Sequence, residues 1–317
     1  MPASSLASLG RTAAWATGGV AAAGAAAFAY GSLIERNLFG IREETVPVLP
    51  AGSAPLRVLH LSDIHFVPGQ ERKTRWLQGL ADLEPDLVVN TGDNLSHLEA
   101  VPPVLEALKP LLRFPGVFVP GSNDYYAPVL KNPLTYFTGP SKHKKEPEKL
   151  PSNMLFGAFG DAGWRDLTNT RSRMELGGVQ LDFSGVDDPH LRRDRYQGFG
   201  DLGEGTEPDR DSAARVVRVG VAHAPYQRVL NQFTIGGADI ILAGHTHGGQ
   251  VCIPGYGALV SNCDLPTSQA RGLTSWAIGG RQVPLNVSAG IGTSRFAPIR
   301  FACRPEAVLL TLTARDS

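Results

Sequence analysis

Five short segments of the sequence place carboxylate, imidazole or amide side chains directly after an apolar run. Together these side chains form a ligand set that suits Mn, Fe or Zn, and the lack of thiolates argues against a closed structural zinc site. A single residue of this kind is usually a turn former, so a metal centre is predicted only from their combination. The segments are Asp63-Ile64-His65, Gly92-Asp93-Asn94, Gly121-Ser122-Asn123-Asp124, His223-Ala224-Pro225 and Gly244-His245-Thr246-His247.

The apolar runs before these segments predict β-strands, which would position the polar side chains. Helical spacing predicts helices over 76–83 and 101–112 between the first strands, which indicates an α/β arrangement. The second half has more strands than helices, which indicates one sheet packed on another. Because ligands in open α/β sheets bind beyond the carboxyl ends of the strands, we expect the five segments to converge. Strands are predicted over 56–62, 87–89, 117–119, 179–183, 216–222, 240–243, 285–287 and 307–312.

Four of the segments resemble, in order and spacing, the motifs of the calcineurin-like metallophosphoesterases over about residues 56 to 313. Other stretches are similar to the membrane-associated bacterial branch of that superfamily, the GHTHGGQ type, which includes phosphodiesterases and relatives that cleave UDP-diacylglucosamine. The resemblance implies an α/β fold, a four-layer sandwich of two mixed β-sheets flanked by helices. The family motifs are Asp63-Ile64-His65, Gly92-Asp93, His223-Ala224-Pro225 and Gly244-His245-Thr246-His247. Those of the branch are Gly185-Val186-Asp187-Asp188, Gly248-Gly249-Gln250 and the tail over 288–305 with Gly292-Thr293-Ser294 and Arg304-Pro305-Glu306.

The resemblance also implies a dinuclear metal site and a hydrolytic reaction. Two divalent ions, Mn, Fe or Zn, would hold a bridging hydroxide that attacks phosphorus while the ions neutralise the phosphoryl oxygens. The expected enzyme hydrolyses a phosphodiester or pyrophosphate bond, with a lipid or cell-envelope precursor as a candidate substrate. The alternative is a non-catalytic binding or scaffold protein with the same fold. By resemblance, one ion is bound by Asp63, His65 and His247, the other by His223 and His245, and both by Asp93.

One motif departs from the family pattern of Gly-Asn-His followed by Asp or Glu. Without a gap, Ser122 replaces the asparagine ligand and Asn123 the histidine; with a one-residue shift, Asn123 remains a ligand and Asp124 takes the histidine's place. We favour Asn123 as the ligand because an amide oxygen is a better neutral donor than a hydroxyl, and we count Asp93, Asn123 and Asp124 as catalytic. The imidazole is missing in both alignments, so good leaving groups should be hydrolysed better than alkyl esters.

The N-terminal region differs in composition from the rest of the chain. Residues 12–34 include no charged side chain, and such a helix is long enough to cross roughly 30 Å of hydrocarbon. A signal anchor, a signal peptide cleaved at Ala27-Phe28-Ala29 and a tethering helix all fit, and we favour the anchor. The expected organisation is a short segment over 1–11, the anchor, a linker over 35–55 and a phosphoesterase domain over 56–317. The expected location is therefore the cell membrane, in a single pass, with either side possible.

Charge and cysteine content exclude some classes of protein. Lys and Arg together number 30, as do Asp and Glu, and this balance lacks the basic excess of a nucleic-acid-binding protein. The three cysteines are far apart and form no CxxC pair, so neither a disulfide framework nor a cysteine zinc site is expected. Arg271, Arg295 and Arg300 lie in loops, where they would either pair with substrate phosphate or form surface salt bridges. The sequence predicts no particular oligomeric state.

Overall fold

Two mixed β-sheets of six strands each form the centre of the structure, a computed structural model that describes residues 3–129, 147–200 and 216–315. The first sheet contains β1 (Gly40–Leu49), β2 (Leu56–Leu61), β3 (Leu87–Asn90), β4 (Gly116–Phe118), β5 (Arg165–Asp166) and β14 (Glu306–Ala314), in the order β1-β14-β2-β3-β4-β5. The second contains β6 (Arg171–Leu176), β7 (Val179–Gly185), β8 (Val216–Val221), β9 (Ile240–Ala243), β12 (Gly272–Ile278) and β13 (Arg281–Val287), in the order β12-β13-β9-β8-β7-β6. A separate hairpin joins β10 (Cys252–Ile253) to β11 (Gly257–Ala258).

Helices cover the outer faces of both sheets. The α-helices are α1 (Ala3–Ala29), α2 (Glu71–Gly79), α3 (Val101–Leu108), α4 (Ser122–Tyr125), α5 (Ser152–Asp161) and α6 (Gln227–Ile235). A π-helical turn over Tyr30–Ile34 continues α1, and 3-10 turns occur at Glu35–Asn37, Leu80–Leu83, His247–Gly249 and Thr267–Gln269.

Three apolar clusters hold the layers together. Leu77 of α2 and Leu155 of α5 pack on the first sheet, Phe183 and Leu310 lie in the cluster between the sheets, and Phe233 of α6 packs on the second sheet. Alternate residues of each buried strand therefore face different layers. This is the four-layer α/β sandwich that the sequence predicts, and that prediction is confirmed.

The strands that precede the polar segments are parallel to one another within each sheet. β2, β3 and β4 run parallel in the first sheet, and β8 and β9 run parallel in the second. The strands predicted over 56–62, 87–89, 117–119 and 240–243 are confirmed to within one residue at either end. Their carboxyl ends deliver the polar segments to one edge of each sheet.

Residues 40–49 differ from the sequence-based expectation of a linker over 35–55. They form β1, which pairs in parallel with β14 along its length, so the sheet begins before residue 56. The charged residues 42–44 and Pro47 conceal a strand in the sequence, but both are tolerated at the edge of a sheet. Arg42 is held there by hydrogen bonds to Glu44 and Glu306.

The N-terminal helix extends beyond the predicted 12–34 at its amino end. Its span Thr17–Asn37 is apolar enough and long enough to cross a membrane, with a mean hydropathy of 1.3. Only 6% of that span is buried against the rest of the protein, so it packs on no described part of the sandwich until its last turns.

Candidate metal centre

The polar segments meet at the carboxyl ends of the strands, and their backbone is strained there. The φ angles are 50° at Asp63, 45° at His65, 56° at Asp93, 68° at His245 and 51° at His247. Residues other than glycine rarely adopt these left-handed conformations, which cost free energy and cluster at functional sites. The fold therefore accepts strain in order to direct these five side chains inward.

One group of potential ligands consists of Asp63, His65 and His247. The Nε2 atoms of the two imidazoles are 3.1 Å apart, and the His247 Nε2 is 3.4 Å from Asp63 Oδ1. Asp63 Oδ1 is buried without a hydrogen-bond donor among the described residues. An unpaired buried carboxylate oxygen is costly unless a cation binds it, so these residues fit a metal ion.

A second group consists of Asp63, Asp93 and His223. Asp93 Oδ2 is 3.4 Å from His223 Nε2 and 3.6 Å from His65 Nε2. His245 joins this group, because its Nδ1 is 3.2 Å from His223 Nε2. Asp93 thus lies between the ligands of the first group and the histidines of the second.

The charge states of His65, His245 and His247 suit a cation. Burial lowers the pKa of His65 to about 4 and that of His247 to about 3, and it holds the pKa of His245 well below its usual value. These imidazoles are therefore neutral, as ligands must be. Although burial opposes both shifts, Asp93 and His223 act on each other as an ion pair, with the Asp93 pKa lowered and the His223 pKa raised.

Glycines allow the loops to approach this centre closely. A Cβ at Gly121 would overlap Asp93 Oδ1, and a Cβ at Gly244 would overlap Ser62 Oγ and stand 2.6 Å from Asp63 Oδ2. Any larger residue at either position would displace a carboxylate. The His245 backbone N–H, next to Gly244, donates to Asp63 Oδ2 at 2.9 Å.

Asn123 and Asp124 occupy different environments. The Asn123 side-chain amide lies 2.7 Å from Asp93 Oδ2, inside the centre. The Asp124 side chain is fully buried, and its oxygens accept hydrogen bonds from the backbone N–H groups of Asp93, Asn94 and Gly121. The Asp124 carboxylate is therefore occupied in holding two loops together, and its catalytic role stays a prediction.

The comparisons with known proteins agree with this geometry. The family model for calcineurin-like phosphoesterases matches residues 56–249. The chain belongs to this family. The family is metal-dependent, and this member is a hydrolase that acts on phosphoric esters.

Curated relatives align over most of the chain. An uncharacterized metallophosphoesterase of Bacillus subtilis, YkuE, is 25% identical over 91% of this chain and 91% of its own length. An uncharacterized metallophosphoesterase of Aquifex aeolicus is 27% identical over 85% of this chain and 89% of its own length. A transmembrane protein with a metallophosphoesterase domain from Danio rerio is 26% identical over 66% of this chain and 44% of its own length.

The structure adds a histidine that the sequence analysis of this phosphoesterase missed. The His190 ring centroid lies 4.9 Å from that of His245, and its Nδ1 is 3.1 Å from the Tyr226 hydroxyl. Asp188 fixes this loop by accepting from the His190 and Leu191 backbone N–H groups, and burial raises its pKa to about 7. The Asp187-Asp188-Pro189-His190 run, one residue after the end of β7, was the signal available in the sequence.

The three loop arginines have separate roles. Arg300 is fully buried, and its guanidinium donates to the backbone carbonyls of Ala289 and Gly292 beside the centre, so it forms no surface salt bridge. Arg271 pairs with Glu306. Arg295 lies over the Phe296 ring.

A buried hydrogen-bond chain supports the centre from between the sheets. His223 Nδ1 lies 2.7 Å from the Thr91 carbonyl oxygen, and the Thr91 hydroxyl is 2.9 Å from His60 Nε2. The Asn286 amide nitrogen is 2.9 Å from His60 Nδ1. Burial, with the charge of Arg42, lowers the pKa of His60 to about 3, so this imidazole is neutral in the folded protein.

We expect the free energy of unfolding to fall as the pH decreases from about 6.5 towards 3, and His60→Gln to weaken that dependence. The unfolded chain binds a proton at His60 near pH 6.5, whereas the folded chain does so only near pH 3. The unfolded state is therefore favoured increasingly as the pH falls through this window. Urea unfolding of both proteins at several pH values measures the difference, and equal slopes would contradict it.

Proposed function

We propose that this phosphoesterase hydrolyses a phosphodiester or pyrophosphate bond at a site that holds two divalent ions, Mn, Fe or Zn. The observation that carries the proposal is the placement of Asp93 between two groups of buried ligands, 3.6 Å from His65 and 3.4 Å from His223. The Oδ2 atom of Asp93 faces the histidines of both groups, so this carboxylate would be shared by both metal positions. Two such ions supply a nucleophile at neutral pH and neutralise charge on the phosphoryl group.

The side chains divide between the two positions as the family motifs imply. Asp63, His65 and His247 hold the first ion, and His223 and His245 hold the second, with Asp93 shared. Asn123 completes the second position through its amide oxygen, which its 2.7 Å contact with Asp93 Oδ2 supports. The amide group would turn so that its oxygen, and not its nitrogen, faces the cation.

His190 supplies the imidazole that the motif over 121–124 lacks. It reaches the centre from the second sheet, 4.9 Å from the ring of His245. Its contact with the Tyr226 hydroxyl and the anchoring of its loop by Asp188 hold the ring in place. From there an N–H of His190 can donate to the oxygen of the leaving group.

Metal analysis combined with turnover of bis-p-nitrophenyl phosphate tests the function. The protein is stripped of metal, reconstituted separately with Mn, Fe and Zn, and assayed with each. We expect two ions per chain and turnover that depends on them. A protein that binds none of the three metals and turns over no substrate would instead be a binding or scaffold protein with this fold.

Single substitutions of the two neighbouring histidines should remove different ions. We expect His247→Ala and His245→Ala each to lower the metal content from about two ions per chain towards about one, because each imidazole belongs to one position. Inductively coupled plasma mass spectrometry measures the content. Reconstitution with two different metals distinguishes the positions, and loss of both ions in either variant would contradict the division.

Membrane anchoring by α1 and its continuation belongs to the same proposal. The span Thr17–Asn37 is long and apolar enough to cross a bilayer, and the Danio rerio relative is named a transmembrane protein. Ala302 and Cys303 donate backbone hydrogen bonds to Glu35 at the end of this span. A lipid-linked or cell-envelope substrate would then meet the centre near the membrane surface. Cell fractionation tests the anchor, and recovery of the full chain in the soluble fraction would contradict it.

A further inference from the structure

A cavity of about 390 Å³ lies where the N-terminal helix meets the domain. None of the residues that line it belongs to the proposed metal ligands. Two of them are arginines, one is a glutamate and two are aromatic, so the cavity combines charged groups with flat apolar surface. The lining residues are Tyr30, Glu35, Arg271, Phe301, Ala302 and Arg304.

The walls of this cavity are fixed relative to each other. Glu35 accepts hydrogen bonds from the backbone N–H groups of Ala302 at 3.0 Å and Cys303 at 2.7 Å. The Arg300 N–H donates to the Gly31 carbonyl at 3.2 Å, and a Cβ at Gly31 would lie 2.6 Å from the Arg300 carbonyl oxygen. The helix end and the loop after Arg300 therefore form one preformed site.

The charges around the cavity leave one arginine available for an anion. Glu35 is 3% exposed and its two oxygens already accept hydrogen bonds from backbone N–H groups, and Arg271 is paired with Glu306. Arg304 is exposed, and no carboxylate forms an ion pair with it in the part of the chain that the structure describes. An arginine fork in this position suits a phosphate group.

The surroundings of the cavity match the surface of a bilayer. Tyr30 lies within the apolar span Thr17–Asn37, and its ring packs edge-on against Phe301 at 6.3 Å between centroids. The neighbouring β10–β11 hairpin is joined to this wall by the hydrogen bond from Cys252 N–H to the Phe301 carbonyl. This hairpin exposes Ile253 and Tyr256, the latter to 75%. Tyrosines and exposed apolar side chains of this kind collect at the headgroup level of membranes.

We propose that this cavity binds the headgroup phosphate of an anionic phospholipid. Arg304 donates to the phosphate, and Tyr30 and Phe301 pack against the glycerol backbone. The proposal rests on the proposed membrane anchoring. Bound lipid would fix the domain, and with it the metal centre, in one orientation to the bilayer.

Native mass spectrometry of the full-length protein, released from detergent micelles, tests the site. The protein is titrated with phosphatidylglycerol or phosphatidylcholine, and also with inorganic phosphate and glycerol 3-phosphate as lipid-free sources of the same anion. We expect retention of one phosphatidylglycerol per chain in preference to phosphatidylcholine. Arg304→Gln should weaken this retention by about tenfold, the effect of losing one charge-assisted contact. The melting temperature of the Arg304→Gln variant in detergent reports whether this variant is folded.

Arg281→Gln is the matched control, because Arg281 is exposed at the start of β13 and does not line the cavity. Equal retention of the two lipids, or unchanged retention of phosphatidylglycerol by folded Arg304→Gln, would overturn the proposal. Binding of inorganic phosphate as tight as that of phosphatidylglycerol would overturn the lipid as the source. Fractionation of cells and turnover of bis-p-nitrophenyl phosphate by the wild type are measured separately. These two measurements distinguish failure of the proposed anchor or of the proposed catalytic function from failure of the proposed lipid site.

Discussion

Asp93→Asn is expected to lower kcat/KM for bis-p-nitrophenyl phosphate by on the order of 10³-fold or more, because it removes the charge shared by both metal positions. The structure shows why the amide cannot replace the carboxylate. Asp93 Oδ1 accepts from the Asn123 backbone N–H at 2.7 Å, and Oδ2 lies 2.7 Å from the Asn123 side-chain amide nitrogen. An amide nitrogen in place of Oδ1 would face the Asn123 backbone N–H, and in either orientation the amide carries no negative charge to share between the two metal positions.

Metal content is measured together with turnover in this experiment. We expect Asp93→Asn to lose at least one of the two ions, since it weakens ligation at both positions. Asp82→Asn is the control, because it makes the same chemical change at an exposed residue of the 3-10 turn Leu80–Leu83. If Asp93→Asn kept both the metal content and the turnover of the wild type, the shared role of Asp93 would be refuted.

The sequence was sufficient to predict which residues meet at the candidate centre. Asp63, His65, Asp93, His223 and the pair His245 and His247 each follow a buried strand, and parallel strands bring their carboxyl ends together. Strands of this kind are visible in the sequence as short apolar runs, because both of their faces are buried. Four motifs in one order also make the family recognisable from a small number of residues.

The features that the sequence did not reveal depend on tertiary contacts. β1 is an edge strand whose charged residues find partners only after folding, as Arg42 does with Glu306. Asp124 resembles a catalytic carboxylate in sequence, but its role follows from the loop N–H groups that surround it. His190 is far in sequence from the other polar segments and comes next to His245 only because β7 lies beside β8 in the second sheet.

His190→Asn is expected to affect poor leaving groups far more than good ones. Proton donation to a departing oxygen contributes roughly 10²–10⁴-fold when that oxygen is basic, and little when it leaves readily as an anion. The structure places His190 beside His245, and the segment Gly121-Ser122-Asn123-Asp124 has no histidine. No imidazole of that segment can therefore compensate for the loss of His190. The asparagine side chain is smaller, and its amide cannot transfer a proton to the leaving group as an imidazolium can.

A pair of diesters that differ in their leaving groups separates this role from a structural one. We expect His190→Asn to lower kcat/KM by about 10²-fold for diphenyl phosphate and only a few-fold for bis-p-nitrophenyl phosphate. His97→Asn, in a loop outside the centre, should leave both unchanged. An equal loss for the two substrates would mean that His190 only supports His245 and the loop around it. Unchanged kinetics with both substrates would mean that the enzyme releases its leaving group without a side-chain acid at this position, as the GSND motif alone would predict.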